Sequence, residues 1–324
     1  MPTGVDGGFR AAVEPHRREL LAHCYRMLGS VDDAQDAMQE VLTRAWRAFD
    51  RFDEQRASIR TWLYRIATNA CLNALASRKR RPLPSDIGPR FDDPEAAFQP
   101  GFEVPWLQPL PDVLLGVSAI DPAEAALERD RLRLAVVAAL QLLPPRQRAA
   151  LVLREVLALS AREVAEMLDM TTAGVNSALQ RARATLAAAG AEVESVAGPD
   201  QIEREVVGAW VAAFEAADVG ALAKLVSRDV VLEMPPMWNW YRGADAYRAF
   251  MARVFRTRGT TWRMVPIAAN RQAASAAYRA DAHGAFALHT LQVLTVEGGR
   301  ITRTTVFQDP HVFGLFDLPI ELPR

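Results

Sequence analysis

The stretch SAREVAEMLDMTTAGVNSALQRARATLAA, residues 160–188, decides how the chain is read. Apolar residues recur at helical spacing over 161–168 and again over 172–188, and Asp169-Met170-Thr171 parts the two runs. Ser160 stands three residues before Glu163, the pattern of a capping box, and Thr171 is placed to cap the second run. A three-residue turn between two short helices is the spacing of a helix-turn-helix. From its second helix, Thr171, Thr172, Ala173, Asn176, Ser177 and Gln180 would face base edges in a major groove, with Arg181 and Arg183 near phosphates. Gly174 inside a helix costs about 1 kcal/mol against alanine, and close approach to a DNA backbone is one reason to keep it. The same pattern also serves as an ordinary helical corner, so other features must decide.

Outward from this stretch, residues 122–143 and 146–157 read as helices separated by Pro144-Pro145. Residues 9–81 are helical throughout. In 31–49 the apolar stripe is Ala34, Ala37, Met38, Val41, Ala45 and Trp46, and Ser30 with Asp32 and Asp33 suits a helix start. A further helix over 58–80 ends in the basic cluster Arg78, Lys79, Arg80 and Arg81, halted by Pro82 and Pro84. Residues 82–121 hold eight of the 20 prolines and read as a linker, whose apolar stretch 105–111 should dock on a folded surface. Beyond a small-residue linker at 190–200 the texture becomes α+β. Helices are expected over 202–217 and 219–225, and strands over 230–233, 261–267, 273–280, 285–296 and 301–308, with Gly298-Gly299 at a hairpin turn.

Composition narrows the class. A chain of 324 residues, half of them apolar, should hold two or three domains with real cores. No apolar run approaches a membrane span, and the opening MPTGVDGGFR lacks a secretory pattern, so a cytoplasmic protein with no membrane partner is expected. Cys24 and Cys71 lie in helical patterns and read as two buried thiols. The five histidines show no ligand spacing, so no metal or cofactor is expected. The formal charge of -1 is unevenly spread: the helical blocks are modestly basic and the proline-rich spacer acidic, as when two modules touch nucleic acid and their connector does not.

Four motifs in order carry a resemblance. They are residues 33–41 (DAQDAMQEV), 61–69 (TWLYRIATN), 143–148 (LPPRQR) and Arg181-Ala182-Arg183 after the helix-turn-helix. On these, residues 9–190 resemble an extracytoplasmic-function sigma factor of the sigma-70 family, and the carboxyl-terminal part resembles the SnoaL-like branch of the nuclear-transport-factor-2-like fold. The implied architecture is multidomain. Region 2 spans 9–81, the linker 82–121, region 4 spans 122–190, and a cone-shaped α+β SnoaL-like barrel spans 200–318. The implied partners are promoter DNA and core RNA polymerase, through its β′ clamp and β flap.

The resemblance assigns the helix face Asp33, Asp36, Gln39, Glu40 and Thr43 to the polymerase clamp, although such an acidic face can also be plain solvated surface. It assigns Arg56, Arg60, Arg65, Asn69, Asn73, Arg78, Lys79 and Arg80 to the minus-10 element, read as single strand by polar groups beside apolar walls. Trp62 fits either a core anchor or a base-stacking platform. In the last domain, Glu233, Met234, Trp238, Trp240, Tyr241, His283, His289 and Asp309 are expected near a pocket for a small molecule. Isomerases of this fold place an aspartate after the first strand. Here Met234 takes that position and cannot accept a proton, and Glu233 should point to the other side of the strand. The expected function is therefore an alternative sigma factor that is not itself an enzyme, autoregulated by its last domain. The competing readings are a SnoaL-like isomerase or cyclase and a ligand-sensing DNA-binding regulator.

Overall fold

A computed structural model describes residues 5–77, 80–116, 132–188 and 200–323. The chain forms two compact units: Met1–Arg81 with Val113–Glu194, and Pro82–Asp112 with Ser195–Arg324.

The first unit is helical. Helices α1 (Val5–Val13), α2 (Arg17–Leu28), α3 (Val31–Ala48) and α4 (Ile59–Ala76) form its amino-terminal part. Gly29, at φ +68°, ends α2 by turning its N–H back onto the Tyr25 carbonyl. The Ser30 hydroxyl then accepts from the Asp33 N–H to start α3. Leu20, Val31, Val41 and Leu63 are buried among these helices with the free thiols of Cys24 and Cys71. Two expectations change. Trp46 is 51% exposed rather than part of the buried stripe, and α4 ends at Ala76, short of the basic cluster.

Helices α5 (Leu134–Gln141), α6 (Pro145–Leu151), α7 (Ala161–Leu168) and α8 (Thr172–Ala188) complete this unit, α6 passing into a π turn at Val152–Val156. The guanidinium of Arg148, 3% exposed, joins the two parts. It donates to the Met27 carbonyl in the last turn of α2, to Gln141 Oε1 at 2.6 Å and to the Leu143 carbonyl at 3.1 Å. Gln141 in turn donates to the Arg26 carbonyl. The last carbonyls of a helix have no intrahelical partner, and these side chains supply one. Burial, and secondarily the charge of Arg80, push the Arg148 pKa down to about 10.

The second unit joins helices α9 (Asp200–Glu215), α10 (Val219–Leu225), α11 (Ala244–Arg258) and α12 (Pro310–Leu315) to one seven-stranded sheet. Its strands are β1 (Val226–Glu233), β2 (Trp240–Arg242), β3 (Trp262–Ala269), β4 (Gln272–Ala280), β5 (Phe286–Glu297), β6 (Arg300–Phe307) and β7 (Glu321–Leu322). The order is β2-β1-β6-β5-β4-β3, with β7 on β5; β1 and β6 are parallel and the other pairs antiparallel. Gly298 and Gly299, at φ +56° and +74°, make the expected tight hairpin between β5 and β6. Trp210, Phe214, Phe250, Phe255, Trp262 and Leu294 are the centre of the core. Helix α11 stands where the sequence reading places no element.

The expected closed barrel is corrected: the sheet is open, with β2 and β3 as its two edges. Closure would require β2 and β3 to pair, and both edges are otherwise engaged. The outer carbonyl of Trp240 in β2 accepts from the Phe91 N–H at 3.0 Å, and the Met264 N–H of β3 donates to the Glu215 carboxylate at 2.7 Å. Strand β2 is also only three residues long before Gly243, at φ +105°, turns the chain into α11. A strand edge met by a loop or a side chain has no free ladder to offer another strand.

Residues 82–112 belong to this second unit and are ordered by it. The Trp238 N–H donates to the Gln99 carbonyl, Asn239 Oδ1 accepts from the Gln99 N–H at 2.7 Å, and Asn270 Oδ1 accepts from the Leu110 N–H at 2.9 Å. Trp106 and Trp238 meet edge to face at 5.3 Å. A Cβ at Gly101 would lie 2.7 Å from Trp238 Nε1 and 2.9 Å from the Trp106 ring, so only glycine fits between them.

Replacing Arg148 by Ala should destabilise the first unit by about 3 kcal/mol, since buried carbonyls lose a charged donor. Lys at this position should restore only part, having no planar fork. Urea denaturation followed by circular dichroism measures both.

Candidate functional site

Three surfaces of the first unit and one cavity of the second contain the candidate residues. On α3, Asp36, Gln39, Glu40 and Thr43 are exposed, and their spacing places them on one side of the helix. Glu40 pairs with Arg44 at 2.5 Å, and the Thr43 hydroxyl donates to the Gln39 carbonyl. Asp33 is separated from this face: it is buried and its carboxylate pairs with Arg81 at 2.6 Å.

The second surface surrounds Trp62. Phe9, Phe49, Phe52 and Trp62 form a chain of ring contacts, with centroids 5.4, 6.4 and 5.0 Å apart in that order. Half-buried Trp62 lines two grooves. One, of about 560 Å³, is formed with Arg51, Phe52, Arg56 and Arg65 against Glu163, Glu166 and Met167 of α7; the other includes Arg44, Arg65 and Asn69. Arg56, Arg65, Asn73 and Arg80 are exposed, whereas Arg78 and Lys79 lie outside the described residues.

Arg60 is turned elsewhere. It pairs with Glu19 at 2.8 Å and lies over the Tyr64 ring, whose hydroxyl also donates to Glu19. Burial alone would raise the Glu19 pKa, but the bonds from Arg60, His16 and Tyr64 outweigh it and hold the group below its usual range. Arg60 thus ties α4 to α2.

The third surface is the helix-turn-helix of α7 and α8. Ser160 and Glu163 form the expected capping box, Asp169 turns the chain at φ +51°, and Thr171 Oγ1 accepts from the Gly174 N–H at 3.0 Å. Thr171, Thr172, Ala173, Asn176, Gln180, Arg181 and Arg183 are exposed. Half-buried Ser177 accepts from Arg181, and Arg183 pairs with Glu155 at 2.7 Å. The structure gives Gly174 a nearer reason than DNA: a Cβ there would crowd the capping Thr171 Oγ1 at 3.2 Å.

In the second unit a cavity of about 240 Å³ lies between α11 and the sheet. Leu232 of β1 and Met234, the residue after it, line the cavity, and the Glu233 carboxylate is engaged away from it. That carboxylate pairs with Arg303 at 2.6 Å and accepts from the Ser85 hydroxyl at 2.7 Å and the Thr305 hydroxyl at 3.1 Å. Of the residues expected near the pocket, the structure brings Met234 and His289 to it. Trp238, Trp240 and Tyr241 instead hold the 82–112 segment, through Trp106, the Gly88 carbonyl and Phe91. Asp309 caps α12 by accepting from the His311 N–H, and His283 sits in an exposed turn.

His289 reaches the cavity because the β4–β5 register slips: Thr290 opposes Ala277 while Leu288 opposes Tyr278, so His289 is an extra residue, and both it and Thr290 line the cavity. Burial, then the charges of Arg258 and Arg279, push its pKa down to about 4. Sequence reasoning missed Thr304, Gln292 and Phe98 in this lining. Alternation along β5 and β6 was the available signal for the first two. Among the described residues, no group of three or more His, Cys, Asp or Glu could hold a metal, and no helix is long and apolar enough to cross a membrane.

One chain thus holds a helix-turn-helix, an aromatic and basic groove and an α+β unit with a cavity. Residues 12–81 match Sigma-70 region 2, residues 133–186 match Sigma-70, region 4, and residues 207–304 match the SnoaL-like domain. The chain is 43% identical over 321 residues to the ECF RNA polymerase sigma factor SigG of Mycobacterium tuberculosis, covering 98% of this chain and 85% of that relative. It is 30% identical over 252 residues to SigJ of the same organism, covering 76% and 73%. The crystal structure of SigJ shares the fold, with a TM-score of 0.65 at 23% identity over 95% of this chain and 99% of that one. The protein belongs to the ECF RNA polymerase sigma factors: it is an alternative sigma factor that directs transcription initiation and contains a SnoaL-like carboxyl-terminal domain.

Because the folded state holds His289 neutral down to about pH 4, the unfolded chain takes up a proton first as pH falls below the ordinary histidine value of 6.5. Stability should therefore decline from about pH 6.5 toward pH 4. Urea midpoints measured across that window should show the decline, and His289→Gln should make it shallower.

Proposed function

We propose that the exposed α3 face, Asp36, Gln39, Glu40 and Thr43, docks on the β′ clamp of core RNA polymerase, and that Asp33 acts one step back by fixing Arg81. The grooves beside Trp62 receive the separated minus-10 strand, with Arg56, Arg65, Asn69 and Asn73 on its polar groups and Arg78, Lys79 and Arg80 on the phosphates. An aromatic ring bordering two grooves suits stacking of an unpaired base. The α8 residues Thr172, Asn176 and Gln180, with Arg181 and Arg183, read the minus-35 element, and this half also meets the β flap. The observation that carries this reading is that the aromatic and basic groove, the acidic α3 face and the α8 surface all occur in one chain related along nearly its whole length to an ECF sigma factor.

The second unit regulates in cis. It holds residues 82–112, which connect the two halves of the first unit. Its cavity takes a small molecule, and Phe98 of that connecting segment is one of the walls.

Charge reversal at Asp36 and Glu40 should weaken co-elution with core polymerase at least tenfold. Trp62→Ala should leave co-elution intact and reduce promoter opening, read by permanganate footprinting, by a similar factor. Asn239→Ala loosens the bonds to Gln99 and Ala97 and should change run-off transcription severalfold at unchanged core affinity. Unaltered output from that variant would remove the regulatory part of the reading.

A further inference from the structure

The cavity of the second unit has a charge asymmetry beneath its apolar walls. Its lining includes two arginines, Arg253 and Arg258, and no Asp or Glu. Arg253 is engaged by the Pro94 and Ala96 carbonyls at 2.7 Å each. Arg258 is exposed and makes no ion pair among the described residues. The ring of His289 likewise makes no hydrogen bond among them, and it rests against Trp262 at 5.5 Å. Burial first, and then the charges of Arg258 and of Arg279 on the neighbouring β4, hold its pKa below the ordinary histidine value. A neutral imidazole offers one donor and one acceptor.

Among the other polar groups of the lining Thr304 stands out: it is 1% exposed and its hydroxyl has no hydrogen-bond partner among the described residues. A buried hydroxyl without a partner costs free energy that a bound oxygen can recover. Thr304 opposes Leu294 of β5, five residues beyond His289, so at about 3.3 Å per residue the two polar ends lie roughly 13 to 16 Å apart along the strands. Between them the sheet side carries Thr290 and Gln292, which bond to each other at 3.2 Å, and the remaining walls are mostly apolar and aromatic, including Leu232, Met234, Phe250 and Phe98.

We propose that this cavity binds an elongated apolar carboxylic acid of about a dozen heavy atoms, its carboxylate at the His289–Arg258 end and a hydroxyl or carbonyl oxygen at Thr304. The proposal rests on the reading of the second unit as a ligand-binding domain and adds the chemistry of the ligand. The absence of any lining carboxylate disfavours amines, and the unpaired guanidinium favours an anion over its neutral counterpart. Because Phe98 belongs to the 82–112 segment, occupancy of the cavity bears directly on how that segment is seated.

Titration calorimetry on the full chain with three matched probes tests this: 4-(4-hydroxyphenyl)butanoic acid, its amide, and 4-phenylbutanoic acid, which lacks the hydroxyl. The hydroxy acid should bind at least tenfold more tightly than the amide and severalfold more tightly than the phenyl acid. Arg258→Ala should abolish the preference of acid over amide, and Thr304→Val should abolish the preference for the hydroxyl, each leaving the urea midpoint within its usual range. Met234→Trp, which fills the cavity, should end binding of all three. Equal binding of acid and amide, or a preference that survives Arg258→Ala, would overturn the carboxylate assignment while the cavity stands as a ligand site. Failure of every probe to bind the unaltered chain, or binding that Met234→Trp leaves intact, would overturn the ligand-binding reading itself.

Discussion

Glu233 is closed off from water, and a carboxylate in such a place is stable only where cations and donors meet it. Arg303 and Thr305 come from the adjacent, parallel β6, but Ser85 comes from a part of the sequence nearly 150 residues away. This cluster fixes the start of the 82–112 segment on one face of β1. The same strand turns Leu232, and just past its end Met234, to the other face, where the cavity lies. The period of two along a strand thus puts the anchor of the connecting segment and the floor of the cavity back to back. The segment then passes Trp238–Tyr241 and adds Phe98 to the cavity wall, so one strand relates both.

The helical unit follows a different constraint, that of helix ends. The last turn of α2 leaves carbonyls without partners, and Arg148 and Gln141 from the carboxyl-terminal helices fill them. A buried guanidinium bonded to carbonyls rather than to a carboxylate is held by geometry more than by charge. The docking it produces has an electrostatic consequence. Arg56 and Arg65 share their groove with Glu163 and Glu166, so a phosphate entering between α4 and α7 meets attraction on one wall and repulsion on the other.

What could be read from the sequence was what depends on neighbouring residues. Helices α7 and α8 fall on their predicted limits because their caps, Ser160 with Glu163 and Thr171, lie within the same ten or so residues. The Gly298-Gly299 hairpin and the opposed directions of Glu233 and Met234 are equally local. The failures are long-range. Asp33 and Arg60 fit the exposed faces by period, yet each is claimed by a partner more than 40 residues away, Arg81 and Glu19. The aromatic run at Trp238–Tyr241 resembles a pocket rim, but its rings serve a segment 132 to 152 residues earlier. Barrel closure depends on what occupies two distant strand edges, and His289 enters the cavity through a register slip that no local pattern announces.

The order of residues 82–112 has a further consequence for how control can operate. A proline-rich segment has few N–H groups and makes no ladder of its own, so alone it would stay extended and solvated. Here the Gln99 N–H donates to Asn239 Oδ1 and the Gln99 carbonyl accepts from the Trp238 N–H, the Gly101 N–H donates to the Pro236 carbonyl and the Leu110 N–H to Asn270 Oδ1, while the Asp112 carboxylate accepts from the Arg271 N–H. These contacts extend along the whole segment, and each requires its neighbours to keep the chain in place. Since the segment joins Arg81, paired to the first turn of α3, to the chain that leads into α5, its seating is a property of the second unit to which both halves of the first are covalently tied.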